Sequence, residues 1–296
     1  MNASIKTDNR SNPSFSEITY DLHTHTSFSD GQLTPEELIN RAVERNIDLL
    51  AITDHDSLSG LQSANDYCNK ADLGINIING IELSASSDFG DIHIVGLGID
   101  LSSVELLRLV EQQKRLREER AKIIDEKLSK AGIKDILNLI KQDGVELVTR
   151  SHFAQKLIKE GHAKDNNQVF KRYLGRKGKA KVKNSWESMQ NCIEVITKSG
   201  GVAVLAHPTR YAISNRKLSY LIEEFKLEGG LGIEVSYPSL NPDEAGWLEV
   251  QRKKNDMLAS AGSDFHFPDL KWSDLGKFRP VKKDTPHVLD QLSLSL

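Results

Sequence analysis

Residues 18–31 read ITYDLHTHTSFSDG, a short apolar segment that leads directly into His23, His25 and Asp30. Short runs rich in β-branched residues predict strands, so we expect a strand over residues 18–22. His23 and His25 stand at i and i+2, which places both imidazoles on the same side of an extended chain. Alone, such a pair describes two incidental surface histidines equally well. Its meaning therefore depends on the rest of the chain.

Six further apolar runs repeat this pattern and are closely followed by helical periodicity, at 49–53, 75–83, 92–99, 202–206, 232–235 and 257–261. Strands that alternate with helices predict parallel pairing in an α/β fold. The first helix has a clear start, because Thr34, Pro35 and Glu37 supply an N-cap, a first-turn proline and a capping box. It should end near Arg45.

The alternation stops between Asp100 and about Gly200, where helical periodicity covers 101–131 and shorter segments at 153–160 and 169–174. We therefore predict one barrel-like domain in two parts, 18–99 and 201–296, with a helical insertion over 100–200 that caps it and binds substrate. Residues 1–17 are polar and predict a flexible extension. The whole chain has 296 residues, 38% of them hydrophobic, which suits one such domain with its insertion.

Metal-ligating residue types follow the predicted strands. Active sites of parallel β/α barrels form at the carboxyl ends of the strands, where several loops meet. Nine such residues supply more nitrogen and oxygen ligands than one tetrahedral ion requires. They suit two or three divalent ions such as Mn²⁺, Zn²⁺ or Fe²⁺. The candidate metal ligands and catalytic residues are His23, His25, Asp30, His55, Glu82, His93, His207, Asp264 and His266.

The motifs HTH, SDG, TDHD, GIE, HIVG, AHP and GSDFH resemble those of the PHP (polymerase and histidinol phosphatase) superfamily across 18–99 and 201–267. The resemblance implies a distorted (β/α)7 TIM-like barrel with a trinuclear site. It implies three metal groups, which are His23, His25, Glu82 and Asp264; Glu82, His93 and His207; and Asp30, His55 and His266. Asp54 and Asp56 are interpreted as residues that orient a ligand histidine or cap the following helix.

A multinuclear site acidifies a water into a hydroxide nucleophile and neutralises charge on phosphoryl oxygens, which predicts a phosphoester hydrolase. The chain has no GxSxG motif and no P-loop, so the sequence does not support covalent or NTP-driven alternatives. Cys68 and Cys192 lack a CxxC or CxH partner and predict buried thiols. No apolar run reaches the roughly 18 residues of a membrane span, and no secretory signal precedes the first strand, which predicts a cytoplasmic protein without a membrane.

The insertion should select the phosphoester. Residues 99–190 hold 21 Lys and Arg against 13 Asp and Glu. This segment resembles the PHP subgroup of nucleoside 3′,5′-bisphosphate phosphatases and 5′ to 3′ exoribonucleases of the AM type, which implies that basic residues contact a 5′-phosphate. Guanidinium groups suit bidentate phosphate contacts, and Arg150 should open a helix, where backbone N–H groups favour an anion. The candidate substrate-binding residues are Arg117, Arg120, Arg150, His152 and Arg210.

We therefore expect an enzyme whose nucleotide substrates are nucleoside 3′,5′-bisphosphates, from which it removes the 3′-phosphate. By the same cleavage it would degrade short 5′-phosphorylated RNA in the 5′ to 3′ direction. The basic run 171–183 would attract RNA, but it equally describes a solvated loop, and Arg117 and Arg120 could be exposed charges on a long helix. The alternatives are another PHP phosphomonoesterase, such as histidinol phosphatase, and a nucleic-acid-binding protein with structural metals. The sequence leaves the oligomeric state open.

Overall fold

The computed structural model describes residues 18–71, 73–183, 185–269 and 272–292, so the predicted extension 1–17 lies outside the described residues. Seven strands and nine helices are named within this part of the chain. The strands are β1 Tyr20–Asp21, β2 Leu49–Ile52, β3 Asn76–Ser87, β4 Gly90–Leu97, β5 Val202–Leu205, β6 Gly232–Ser236 and β7 Leu258–Ala261. The helices are α1 Pro35–Glu44, α2 Ser59–Ala71, α3 Val104–Lys130, α4 Ile136–Gln142, α5 Arg150–Lys159, α6 Asn166–Val169, α7 Met189–Lys198, α8 Asn215–Leu227 and α9 Pro242–Lys254.

The strands form one sheet in chain order, from β1 to β7. Its outer strands nearly close into a barrel, because the backbone N–H of Leu22 donates to the carbonyl of Ala261 at 3.3 Å and Thr24 bridges to Phe265. Four pairs are parallel, namely β1–β2, β2–β3, β5–β6 and β6–β7. The predicted α/β class, a distorted seven-stranded TIM-like barrel, is confirmed.

The prediction of parallel pairing throughout is wrong for β4, which runs antiparallel to both β3 and β5. Only Asp88 and Phe89 separate β3 from β4, and a connection this short makes a hairpin, whereas a parallel pair needs a long crossover. The reversal matters for His93, which lies near the start of β4 and pairs with Ser84. In an antiparallel strand this early position falls at the carboxyl edge of the neighbouring strands.

Helix α1 begins as the sequence predicts. The Thr34 side chain accepts from the Glu37 N–H at 3.2 Å, and the Glu37 carboxylate accepts from the Thr34 N–H at 2.9 Å. This reciprocal capping box satisfies two of the N–H groups that a helix start leaves unpaired. The helix ends at Glu44 with Arg45 as its C-cap, as expected.

The predicted insertion contains a core of its own, formed by buried residues from Ala121 to Ala180. The first turns of α3 instead bury Leu106 and Leu109 in a barrel core, and α7 buries Cys192 in the same cluster. The division between the cores therefore falls inside α3, and the domain boundaries at 100 and 200 remain a prediction. The segment predicted as a helix at 169–174 continues α6 as a π-helical turn, Phe170–Leu174.

No helix of the described chain is long and apolar enough to cross a membrane. The cytoplasmic location stays a prediction.

Candidate metal centre

The nine side chains proposed as metal ligands converge at the carboxyl edge of the barrel. Their ligand atoms form four overlapping groups in which all atoms lie within 4.8 Å of one another. One group contains the implied third set together with His25, and another lies within the implied first set. The remaining two each combine Glu82 with histidines from different implied sets. The groups are His25, Asp30, His55 and His266; His23, Glu82 and His207; His23, His25 and Asp264; and His55, Glu82 and His93.

Glu82 lies at the centre of this cluster, fully buried in β3. Its Oε1 lies 2.9 Å from His93 Nδ1 and 3.0 Å from His207 Nε2, and its Oε2 lies 2.7 Å from His55 Nδ1. A carboxylate with imidazoles around both oxygens has the geometry of a group that bridges neighbouring cations. The bridging role that the sequence resemblance implies for Glu82 stays a prediction.

The donor set fits divalent cations. Many of its atoms are buried and lack a hydrogen-bond partner, although buried polar atoms in proteins are nearly always paired. His55 Nδ1 and Glu82 Oε2 are an example, because they lie 2.7 Å apart without the angles of a hydrogen bond. The unpaired ligand atoms are His23 Nε2, His25 Nε2, Asp30 Oδ1, His55 Nδ1, Glu82 Oε2 and His207 Nδ1.

The carboxylates of the cluster are held in their charged form. Burial alone would raise the pKa of Glu82, but the imidazoles of His55, His93 and His23 outweigh it and hold the pKa well below its usual range. Asp30 and Asp264 show the same balance, with burial opposed by neighbouring imidazoles, and their pKa values also fall well below the usual range. The centre thus presents buried negative charge to a cation.

Burial lowers the pKa of His25 to about 3, so its ring stays neutral and keeps a lone pair available for a metal. His266 behaves differently. Burial again lowers its pKa, but Asp30 and Asp264 outweigh it and raise the pKa to about 9. Neighbouring carboxylates likewise raise the pKa of His55 and raise that of His23 well above its usual value, so His266 is one of three rings whose protonated form they favour.

Two ligand residues adopt backbone conformations that are uncommon outside glycine. His207 has φ of 29° and Asp264 has φ of 50°. Such conformations persist where the surrounding structure fixes them, and they cluster at functional sites. Gly31 completes the SDG motif for a steric reason, because a Cβ there would overlap the carbonyl of His25.

Asp54 and Asp56 stand outside the ligand groups in the described part of the chain. Asp54 accepts from the Thr26 N–H at 2.7 Å and the Ser29 hydroxyl at 2.6 Å, which fixes the loop after His25. Asp56 accepts from the Ser84 N–H at 2.8 Å. Both carboxylates thus brace neighbouring segments, and whether they also orient a ligand histidine or cap a helix stays a prediction.

Two residues that the sequence analysis passed over contact the ligands directly. Thr149, the N-cap of α5, lies with its Oγ1 3.0 Å from Asp30 Oδ2 and thereby joins the insertion to the metal centre. Glu234 accepts from His23 Nδ1 at 2.7 Å and from the His207 N–H at 2.6 Å. Glu234 did carry a signal, because it is one more acidic residue in a strand of the barrel, within GIEVS.

A cavity of about 240 Å³ joins the metal centre to the insertion. Asp30, His55 and His93 line it on one side, and three of the arginines predicted to bind substrate line it on the other. Arg117 and Arg120 also place their guanidinium carbons 5.1 and 5.2 Å from the Trp186 ring centroid. Three of the predicted phosphate contacts and three of the predicted metal ligands therefore line one cavity.

The three arginines of this cavity differ in how they are held. Arg117 is buried, with its Nε donating to Asp56 at 2.6 Å and its Nη2 to Ser84 at 2.8 Å. Arg120 has a buried Nε without a hydrogen-bond partner. Burial lowers the pKa of Arg120 well below its usual value, and the charges of Arg150 and Arg117 lower it further. Arg150 opens α5, as predicted, and its side chain is exposed.

The other two predicted substrate contacts lie elsewhere. His152 completes the capping box of α5, since its Nδ1 accepts from the Thr149 N–H at 3.1 Å, and it lines a neighbouring cavity of about 510 Å³. Arg210 pairs with Asp264 and stacks over Tyr237 at 5.2 Å. Both residues have different surroundings from the three clustered arginines, and their roles in substrate binding stay predictions.

A β/α barrel with imidazoles and carboxylates gathered at the carboxyl ends of its strands defines a metal-dependent hydrolase. The family model of the PHP domain matches residues 21–226, and the chain belongs to this family. It is a metal-dependent hydrolase of phosphoric esters.

Relatives of known name agree with this assignment. A 5′-3′ exoribonuclease of Haemophilus influenzae is 40% identical over 258 residues, which cover 87% of this chain and 93% of that protein. A 3′,5′-nucleoside bisphosphate phosphatase of Chromobacterium violaceum is 38% identical over 258 residues, which cover 86% and 90%. The solved structure of an amidohydrolase from Chromobacterium violaceum, with bound sulfate and no metal, has a TM-score of 0.85 at 35% identity and covers 93% of this chain and 95% of that one.

Proposed function

We propose that this phosphoesterase removes the 3′-phosphate from nucleoside 3′,5′-bisphosphates and, by the same cleavage, shortens short 5′-phosphorylated RNA from its 5′ end. The names of the relatives support both halves of this proposal, since one is an exoribonuclease and another a bisphosphate phosphatase. A single active site can perform both activities, because each breaks the phosphoester on the 3′ side of a 5′-phosphorylated nucleoside.

The observation that carries the proposal is the shared cavity. Its lining combines metal-ligand candidates on the barrel with Arg120 and Arg150 on the insertion. A substrate with two phosphates on one nucleoside can place one at each side. The buried, unpaired Nε of Arg120 is a strong reason to expect an anion there, because burying a charged donor without a partner is costly.

The metal centre would hold two or three divalent ions, which we propose to be Mn²⁺, with Zn²⁺ or Fe²⁺ as alternatives. Ions bound there supply a water of lowered pKa and neutralise charge on the phosphoryl oxygens. The chain's own residues do the rest. Glu82, Asp30 and Asp264 provide charged oxygens, the histidines provide neutral nitrogens, and Thr149 ties Asp30 to the helix that carries Arg150.

One aromatic side chain of the cavity is available for a base. Phe170 lines the cavity and keeps 37% of its surface exposed, and stacking on such a ring favours any nucleobase. This feature suits a nucleotide or the first nucleotide of an RNA. The exposed Phe170 ring has no comparable role in the hydrolysis of a small amine phosphate such as histidinol phosphate.

Turnover of three substrates by Mn²⁺-reconstituted protein tests the proposal. We expect adenosine 3′,5′-bisphosphate and a short 5′-phosphorylated RNA to be hydrolysed, with release of phosphate and of 5′-mononucleotides respectively. Faster turnover of histidinol phosphate would move the assignment to another PHP monoesterase. RNA binding without hydrolysis of any ester would indicate a binding protein with structural metals.

A further inference from the structure

We propose that Glu234 is a positioning residue that orients two metal ligands, His23 and His207, and thereby sets the affinity of the centre for its ions. Glu234 is buried in β6 and belongs to none of the ligand groups found among the described residues. Both of its carboxylate oxygens are already occupied by protein donors. The inference rests on the proposed metal centre and is independent of the substrate.

The first contact fixes the tautomer of His23. Its Nδ1 donates to Glu234 Oε1 at 2.7 Å, so the proton resides on Nδ1 and the lone pair on Nε2. His23 Nε2 faces the ligand cluster, 3.3 Å from Glu82 Oε1 and 3.4 Å from Asp264 Oδ1, and has no hydrogen-bond partner. A carboxylate behind a ligand histidine also makes the ring a better donor to a metal.

The second contact fixes the backbone of His207. Its N–H donates to Glu234 Oε2 at 2.6 Å, and its φ of 29° is one that a histidine rarely adopts. This conformation aims His207 Nε2 at Glu82 Oε1, 3.0 Å away. Such strained backbone persists only when neighbouring groups hold it in place. One carboxylate therefore contacts two ligand residues that follow strands β1 and β5, far apart in the sequence.

The strand that carries Glu234 is built for this role. The register of β6 against β7 shifts between Glu234 and Ser236, as at a bulge or a similar irregularity. Bulges bend a strand and re-aim its side chains, and they occur often beside active sites. The Glu234 carboxylate is buried beside this register shift, where only a paired charge is tolerated.

Direct measurement of Mn²⁺ affinity in Glu234→Ala and Glu234→Gln tests the proposal. We expect Glu234→Ala to weaken Mn²⁺ binding by about 10–100-fold, the usual effect of losing a residue that orients a metal ligand. Glu234→Gln should lose less, because its amide oxygen still accepts from His23 while its NH₂ faces the His207 N–H. Both variants should regain turnover at raised Mn²⁺, which distinguishes positioning from direct participation.

Asp274→Asn is the matched control. Asp274 is another buried carboxylate, which accepts from Arg41, Arg45 and the Leu275 N–H and has no bond to His23 or His207 among the described residues. This variant should lower the melting temperature and leave Mn²⁺ affinity unchanged. If Glu234→Ala lowers only the melting temperature, or Glu234→Gln binds Mn²⁺ as tightly as the unaltered protein, the positioning role is wrong. Unaltered protein that binds no Mn²⁺ would overturn the metal centre itself, and this inference with it.

Discussion

The metal centre and the arginine cavity lie side by side, yet they are built in opposite ways. The ligands of the metal centre come from strands and the loops that directly follow them, so the barrel topology brings them together. The arginines come from α3 and α5, and their positions depend on how the insertion packs against the barrel. We therefore propose that the barrel supplies the chemistry, whereas the insertion selects the phosphoester that reaches it.

Removal of a central ligand should have the largest effect. We expect His207→Ala to lower kcat by about 10³-fold for every phosphoester, because it removes a ligand of the metal centre that stabilises charge in all substrates. His162→Ala, which alters a histidine of the insertion, should leave kcat unchanged. Steady-state rates with adenosine 3′,5′-bisphosphate and with a simple monoester measure both. A loss confined to one substrate would break the division between the two regions.

Arg117 should matter more for stability than for selectivity. It is buried against Asp56, so Arg117→Ala leaves a buried carboxylate without its countercharge. We expect the free energy of unfolding to fall by about 3 kcal/mol, as is usual when one partner of a buried ion pair is removed. Urea denaturation checks this value. A stable variant with weakened substrate binding would instead place Arg117 among the phosphate contacts.

Arg120 should show the reverse pattern. Its buried Nε has no partner, so the guanidinium is available to an anion. We expect Arg120→Ala to lower kcat/KM about 30-fold for 5′-phosphorylated substrates, the loss of one charge-assisted contact, and to spare substrates without that group. Arg115→Ala is the matched control, because Arg115 lies on the same helix, exposed and paired with Glu111. Equal losses with both kinds of substrate would refute the assigned role.

The smallest effect is expected at the opposite end of the barrel, away from the metal centre and the arginine cavity. A change there should alter stability without involving either region. Burial lowers the pKa of His287 to about 4. The unfolded chain then binds a proton more readily than the folded one, so stability is complete above about pH 6.5 and declines as the pH falls towards 4.

Between pH 7.5 and 5, His287 should cost about 1–2 kcal/mol of the free energy of unfolding. His287→Asn should remove this part of the acid sensitivity, because its amide oxygen can accept from the Leu289 N–H as Nδ1 does and cannot be charged. Urea denaturation of both proteins at the two pH values measures the difference. An identical decline in both would show that His287 titrates normally.

The sequence predicted the metal centre better than the arginine cavity for the same structural reason. Periodicity located all seven strands, and strand ends in a barrel converge whatever the details of packing. It failed for β4, because the two-residue turn before it reverses the strand while the apolar pattern stays the same.

The sequence did not predict which side chains pair with one another. Arg117 and Arg120 stand three residues apart on one helix and are indistinguishable in sequence, yet only Arg117 meets a buried carboxylate. Glu234 likewise became visible as a partner of His23 and His207 only in three dimensions. Such pairings depend on long-range packing, which neither propensity nor periodicity records.

The most direct test compares kcat/KM for adenosine 3′,5′-bisphosphate and adenosine 3′-phosphate, in the unaltered protein and in Arg120→Ala, at saturating Mn²⁺. The account predicts that the unaltered protein prefers the bisphosphate by about 30-fold or more and that Arg120→Ala removes most of this preference. Equal rates with both substrates in the unaltered protein would contradict it, because the insertion would then contribute nothing to the choice of phosphoester.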